Sequence, residues 1–342
     1  MNLIKRFIAA LMVVLMTTGL SFGQVKKTGY TGAAFLKVGV GARAVALGSA
    51  TTSMTGDVSQ MFWNPAGIAL SNNQWQATFS YNKWIADINH TAAGVAHDFG
   101  SLGTIGIGFI SFGLADIAAD RDVVPSFLSG SFTPFDNQTT GSYDYLDMAL
   151  QLTYARNFTD RLALGFSVKM ISQSIDEESA NTFAFDFGST YKIGFRNATL
   201  GARINNLGKD MKFFDIGTPL PLNFSVGGSI DLMRNENHGV TIMADATKPQ
   251  DADQLIFTGG EYMFNDLVAV RGGWKFNYSG VDDKKRNEFD QREIKAARTE
   301  EGVSLGAGLK VPMGNKKLVL DYAFTEFGLL DNTHRFSLNV TF

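Results

Sequence analysis

Residues 334–342 read HRFSLNVTF and alternate without a break. Phe336, Leu338, Val340 and Phe342 fall on one side of an extended chain, and Arg335, Ser337, Asn339 and Thr341 on the other. Successive side chains of a strand point to opposite faces, so this is a strand with one apolar and one polar face. A chain end ordinarily frays unless something ties it down. So regular a terminal strand is predicted to be held along both edges, which a sheet closing on itself would do.

The same pattern recurs upstream. Leu222, Phe224, Val226 and Ile230 alternate with Asn223, Ser225, Ser229 and Asp231, and Leu162, Leu164, Phe166, Val168 and Met170 alternate with Ala163, Gly165, Ser167 and Lys169. Read this way, the chain holds fourteen strands, near 74–84, 88–99, 102–112, 142–157, 161–175, 181–192, 198–207, 221–231, 238–247, 254–264, 267–277, 302–311, 316–325 and 334–342. Most are of the length a tilted strand needs to cross a bilayer. The strand at 88–99 has the faintest pattern, with Ala93 and Val95 its only clear lipid-facing residues.

The connections sort by parity. Every second one is short, around Gly100-Ser101, 157–160, 193–197, 232–237, Asn265-Asp266 and 312–315, whereas the long ones, 113–141, 208–220 and 278–301, all lie on the opposite side. Outer-membrane barrels have short periplasmic turns and long external loops. The fold class expected is therefore all-β: a 14-stranded antiparallel transmembrane β-barrel over residues 74–342. A soluble barrel or sandwich with an apolar core and a charged exterior would show the same alternation, but it has no reason to sort its loops.

Composition agrees with β structure: 36 Gly, 28 Phe, 9 Tyr and 7 Pro in 342 residues. Lys5 and Arg6, the apolar run 7–16 and the small-x-small site Ser21-Phe22-Gly23 make residues 1–23 a secretory signal peptide, cleaved near Gly23. The run is too short to span a membrane as a helix. Removing the leader's two bases leaves 28 Lys+Arg against 33 Asp+Glu, a net charge of −5. Nucleic acid is not an expected partner. The localisation expected is integral to the outer membrane of a Gram-negative cell, with outer-membrane lipids as the surroundings.

Ten charges fall on the polar face: Asp147, Lys169, Asp186, Arg203, Asp231, Asp245, Arg271, Lys275, Asp321 and Arg335. Facing a lumen they could pair across it; a midplane Arg or Lys on the lipid side would cost about 2–4 kcal/mol. With no cysteine, disulfides and a lipoprotein anchor are both excluded. The four histidines, His90, His97, His238 and His334, have no metal-ligand spacing. His90 and His97 read as aqueous-facing residues of the faint strand. The two G-x-S-x-G matches, at 19–23 and 302–306, fall in the leader and on an expected strand rather than on a strand-to-helix turn, so no catalytic residue, metal or cofactor is expected.

Residues 24–73 do not alternate. They are rich in Gly, Ala, Ser and Thr, too small-sided to build a core of their own, and they precede a barrel with a polar lumen. They are read as a hatch that threads into the lumen and plugs it. Asn64-Pro65-Ala66-Gly67 within them is a turn signal. The stretch GARAVALGSA (41–50) followed by GDVSQMFWNPAGIA (56–69) resembles the N-terminal hatch of the FadL-type outer-membrane transporters, at Gly41, Arg43, Gly48, Asp57, Asn64, Pro65, Ala66 and Gly67. More closely it resembles the PorV/PorQ branch known from Bacteroidetes-type bacteria. The resemblance implies a 14-stranded barrel. It also implies one of two roles: assisting secretion or surface attachment of exported proteins by a type IX-like system, or FadL-like passage of hydrophobic small molecules through a strand kink. Implied partners are secreted cargo proteins and other secretion components in the first case, and a hydrophobic small molecule or detergent in the lumen in the second. Phe336, Leu338, Val340 and Phe342 likewise resemble the C-terminal signal read by the outer-membrane assembly machinery.

Two loops complete the reading. Residues 281–301 carry seven acids and six bases, a solvated loop or a docking surface. The loop 113–141, with Phe127, Phe132 and Phe135, either packs on its neighbours or covers the barrel mouth.

Overall fold

The computed structural model describes residues 29–69, 74–119, 141–252, 254–276, 301–314, 316–328 and 330–342. Among the described residues sixteen strands form: β1 (Trp75–Lys83), β2 (Asn89–Asp98), β3 (Thr104–Ala118), β4 (Ser142–Asn157), β5 (Leu162–Ile175), β6 (Glu178–Lys192), β7 (Thr199–Gly208), β8 (Met211–Phe213), β9 (Ile216–Thr218), β10 (Asn223–Arg234), β11 (His238–Pro249), β12 (Leu255–Phe264), β13 (Val268–Phe276), β14 (Val303–Met313), β15 (Lys316–Thr325) and β16 (Thr333–Thr341). Fourteen close into one antiparallel barrel, while β8 and β9 make a separate hairpin. All fourteen expected strands are present.

Closure is made by the two ends of the barrel. β16 pairs β1 in the register Phe79↔Leu338, Ser80↔Ser337, Tyr81↔Phe336. The N–H of Trp75 donates to the carbonyl of Phe342 and the N–H of Phe342 to that of Trp75, each at 2.9 Å. The last strand therefore has a ladder on both sides, β1 on one and β15 on the other, as its regular alternation predicts.

Alternation sorts the faces. On β6, Phe183, Phe185 and Phe187 are exposed whereas Thr182, Ala184 and Asp186 are buried. On β16 and the residue that follows it, Phe336 and Phe342 are exposed, Leu338 and Val340 half-buried, and Arg335 and Ser337 buried. The outward face is the apolar one, the inverse of a soluble protein and what a hydrocarbon surround requires. Polar groups on it cluster at the rims: the Tyr81 hydroxyl donates to Asn89 Oδ1 at 2.8 Å, and the hydroxyls of Tyr262 and Tyr322 meet His238 Nδ1 at 2.7 Å and His334 Nδ1 at 2.8 Å. Trp75 stacks on His97 at 4.4 Å. Such aromatic girdles suit a membrane interface.

Four expectations need correction. β3 continues through a bulge between Leu114 and Ile117 to Ala118, so the loop expected over 113–141 starts later. β6 begins at Glu178, and Asp176, at φ 54°, joins it to β5 in a two-residue turn; Asp tolerates that left-handed conformation, and the polar start of the strand hid it. The connection over 208–220 is not a plain loop, since it holds the β8–β9 hairpin. His90 does not face water: it is buried, 5.9 Å from the Phe112 ring centroid, while His97 lies on the outward face. Phe127, Phe132, Phe135 and residues 281–300 lie outside the described residues.

Candidate functional site

Residues 29–69 fold as short turns joined by backbone that only a few residue types adopt. Gly41, at φ 85°, opens helix α1 (Ala42–Ala46), and Gly48, at φ 63°, follows its end. Asp57 caps a helical turn over Val58–Phe62, accepting from Ser59 N–H at 2.9 Å and its hydroxyl at 2.8 Å. Asn64 caps the next turn, Pro65–Ile68, accepting from Ala66 N–H at 3.1 Å; Pro65 sits at the first helical position, where no donor is missed. The Asn64 amide also donates to the carbonyls of Thr52 at 2.6 Å and Ser189 on β6 at 3.1 Å. One side chain thus caps a turn, ties the segment to itself and ties it to the wall. Gly67 lies against Gln60 and Met54 with no room for a Cβ.

The wall against which this segment packs is lined by glycine. A Cβ on Gly165 (β5) would stand 2.3 Å from Ala66 N, and one on Gly188 (β6) 1.9 Å from Asn64 Oδ1. On Gly201 (β7) it would meet Thr52 O at 2.0 Å, on Gly259 (β12) Leu47 O at 2.4 Å, on Gly273 (β13) Gly48 N at 2.0 Å, and on Gly306 (β14) Ala46 Cβ at 2.4 Å. Gly94, Gly106 and Gly108 on β2 and β3 seat Met61 in the same way. Backbone here lies on backbone, at positions spread around the barrel. Sequence reading missed this track. Its signal was there: glycine at inward positions of strands whose other inward residues are polar.

These contacts set up a paired prediction. Gly259 and Gly260 are neighbours on β12, but a Cβ at Gly260 meets nothing within 4 Å. Gly260→Ala is expected to be neutral or mildly stabilising. Gly259→Ala is expected to cost about 1–3 kcal/mol of overpacking and to push residues 47–48 off the wall. Protease sensitivity within residues 29–69 and single-channel conductance of the purified barrel would read this; equal behaviour of the two variants would refute the seating.

All ten charges named from the sequence are buried, none more than 9% exposed. Their partners lie on neighbouring strands or on residues 29–69, not across an open lumen. Lys169 Nζ lies 2.7 Å from Asp186 and 2.9 Å from Asn206. Arg271 bridges Glu261 at 2.6 Å and Asp321 at 2.7 Å. Arg43 from α1 completes that chain with a two-pronged pair to Glu261, at 3.0 and 2.9 Å, and lies 3.7 Å from Asp57. Glu261's charge holds the Arg43 guanidinium above its ordinary range, against the cost of burial. Asp245 accepts from Thr52 N–H at 2.9 Å and its hydroxyl at 2.6 Å. Arg203 stacks on Trp63 at 5.2 Å. Lys275 pairs with Glu301, and Asp147 accepts from Tyr145 at 2.5 Å and Gln173 at 2.7 Å. Asp231 is held by Asn197, Thr241 and Arg234. Arg335 has no acidic partner among the described residues.

The two ends of this inner space differ. Towards the long-loop end, Ala33, Phe35 and Val40 pack with Ala92, Ile110, Phe112, Ile171, Ala184, Met211 and Leu220 in one apolar cluster. Lys37 and Thr31 hold Asp251 there, and these bonds outweigh burial to keep its carboxyl below the ordinary range. Towards the short-turn end, a cavity of about 900 Å³ opens among Arg43, Lys192, Asn197, Asp231, Arg234 and Glu261. No cluster of metal-ligating residues occurs among the described residues.

Against this geometry the fold can be compared with known ones. No family model matches the chain, and neither does any curated protein. The barrel is similar to the toluene transporter TodX of Pseudomonas putida (14% identity, TM-score 0.55) and to the toluene transporter TbuX of Ralstonia pickettii (13%, 0.54), each alignment covering 89% of this chain and 97% of the other. It is also similar to the monoaromatic hydrocarbon channel CymD (10%, 0.56), with the same coverage. At such identities the likeness is one of fold: this chain has the outer-membrane β-barrel architecture that those channels have.

Proposed function

We propose that this protein is an outer-membrane channel for hydrophobic small molecules, with residues 29–69 as its hatch. The observation that carries the reading is the apolar cluster at the long-loop end, where Phe35 and Val40 of that segment meet Ile110, Phe112 and Met211. An apolar molecule arriving from outside would be received there, at the top of the hatch. The likeness of fold to hydrocarbon channels supports this.

A way out of the wall is offered beside β7. That strand pairs β10 only from Thr199↔Ser229 to Asn205↔Asn223, yet continues on its β6 side as far as Ala184↔Gly208. Beyond Asn205 the seam is bridged by the Asn206 amide donating to Pro221 O at 3.1 Å. Asn206 is at φ 62°, and prolines 219 and 221 bring no N–H to a ladder. This is the lateral exit in the proposal.

The test uses cysteines placed in a chain that has none. Cells with N205C/N223C are expected to take up toluene normally when reduced and at least tenfold more slowly once the disulfide forms across the seam. Unchanged uptake after oxidation would overturn the exit. Unchanged uptake on deleting the gene would overturn the channel. A second reading, a PorV/PorQ-type role in secretion or attachment, is favoured by the close seating of residues 29–69 on the wall and by the β8–β9 hairpin, where Phe214 and Ile216 are each 78% exposed. It would replace the first if the deletion strain kept toluene uptake but lost surface proteins sharing one C-terminal domain.

A further inference from the structure

The geometry points to a buried anion-binding site at Arg335, Asn82 and His90, holding one small monovalent anion, a halide or a carboxylate. Register places the three side by side on the inward face: Asn82 lies opposite Arg335 on β16 and opposite His90 on β2. All three are buried, at 2%, 0% and 2% exposure. With its amide turned to satisfy both neighbours, Asn82 accepts from Arg335 Nη2 at 2.9 Å and donates to the carbonyl of His334 at 3.1 Å. Arg335 Nε and Nη1 and His90 Nε2 are left with no hydrogen-bond partner among the described residues.

An arginine stays charged in a protein, so burial cannot be relieved by loss of its proton. A buried charge needs a partner of opposite sign. No acid on a nearby strand pairs with Arg335 among the described residues. Asp321, which faces Ser337 one inward position along, is held by Arg271 at 2.7 Å. Asp147 lies on β4, beyond Phe112 in register from His90; its Oδ2 accepts from Tyr145 and Gln173, and its Oδ1 has no partner among the described residues. Two free guanidinium N–H donors beside an imidazole nitrogen and an amide therefore call for an anion that none of the described residues supplies. Phe112 lies against His90, and Phe35 is 6.5 Å from Phe112, so one side of the site is aromatic. The anion could be free or be the charged end of an aromatic molecule. The inference does not rest on the channel reading.

Calorimetric titration of the purified, folded barrel with sodium chloride, acetate and benzoate, at ionic strength fixed by a bulky sulfonate, would test it. Saturable binding of at least one anion is expected in the wild type, and at least tenfold weaker binding in Arg335→Gln. Asn82→Asp, which sets a carboxylate in register with Arg335, is expected to abolish binding with the barrel folded, and it decides the matter if the first variant does not fold. Benzoate at least tenfold tighter than acetate and chloride would identify an aromatic acid; comparable or tighter acetate or chloride would identify a free anion. No saturable binding, or unchanged affinity in the folded variants, would overturn the site.

Discussion

Deleting residues 333–342 is expected to leave no folded protein in the outer membrane. β16 carries a ladder on each side, with β1 through pairs such as Phe79↔Leu338 and with β15 through pairs such as Leu320↔Leu338. Its loss frees the edges of both neighbours at once. In hydrocarbon no water can satisfy those N–H and C=O groups, each of which costs several kcal/mol, and an open sheet has no stable place there. The sum exceeds the whole stability of an ordinary domain, about 5–15 kcal/mol, so a partly stable product is not expected. Gel mobility before and after heating, on outer-membrane fractions, would read the folded amount. Phe342→Ala separates pairing from recognition. Its side chain is 49% exposed on the outward face, while its backbone bonds to Trp75 need no side chain. A loss of folded protein as complete as with the deletion would mean that the aromatic ring is read during assembly. Normal amounts of the truncated chain in the membrane would refute closure through β16.

How much could be read from the sequence follows from what a period of two encodes. It tells which residues share a face, and where apolar and polar faces differ strongly, as along Phe183–Phe187 or Phe336–Phe342, strand and face were both legible. It does not tell what lies opposite. The faint strand at 88–99 shows why. Its inward residues Gly94 and Ala96 are small because Met61 occupies the space: a Cβ on Gly94 would come 2.8 Å from the Met61 sulfur, and Ala96 packs in the same cluster. Small side chains weakened the alternation where the contact was tightest. The glycine track escaped for the same reason, since an inward glycine looks like a poor strand residue until the backbone it admits is known. The charges were legible as a face but not as pairs. Nothing in the order of Glu261, Arg271 and Asp321 says that strands β12, β13 and β15 bring them together, or that Arg43 reaches them from residues 29–69.

That cluster gives the second large effect. Arg271→Met is expected to destabilise the barrel by about 3–5 kcal/mol, the cost of breaking a buried pair by removing one partner. Arg271 is 2% exposed; its loss leaves Asp321, 4% exposed, without a cation, while Glu261 keeps Arg43. The penalty should therefore fall mainly on Asp321. A second change tests this: Arg271→Met with Asp321→Leu removes both charges and is expected to recover most of the loss, because well-packed apolar residues can replace a buried pair at little cost. Arg43→Met should be milder, since Glu261 then keeps Arg271, but it alone should also loosen residues 29–69, because its bond to Glu261 ties α1 to β12. Urea unfolding followed by tryptophan fluorescence would give the stabilities, and proteolysis of residues 29–69 the loosening. A double variant no better than Arg271→Met would show that the energy resides in packing around the guanidinium rather than in the charge left behind.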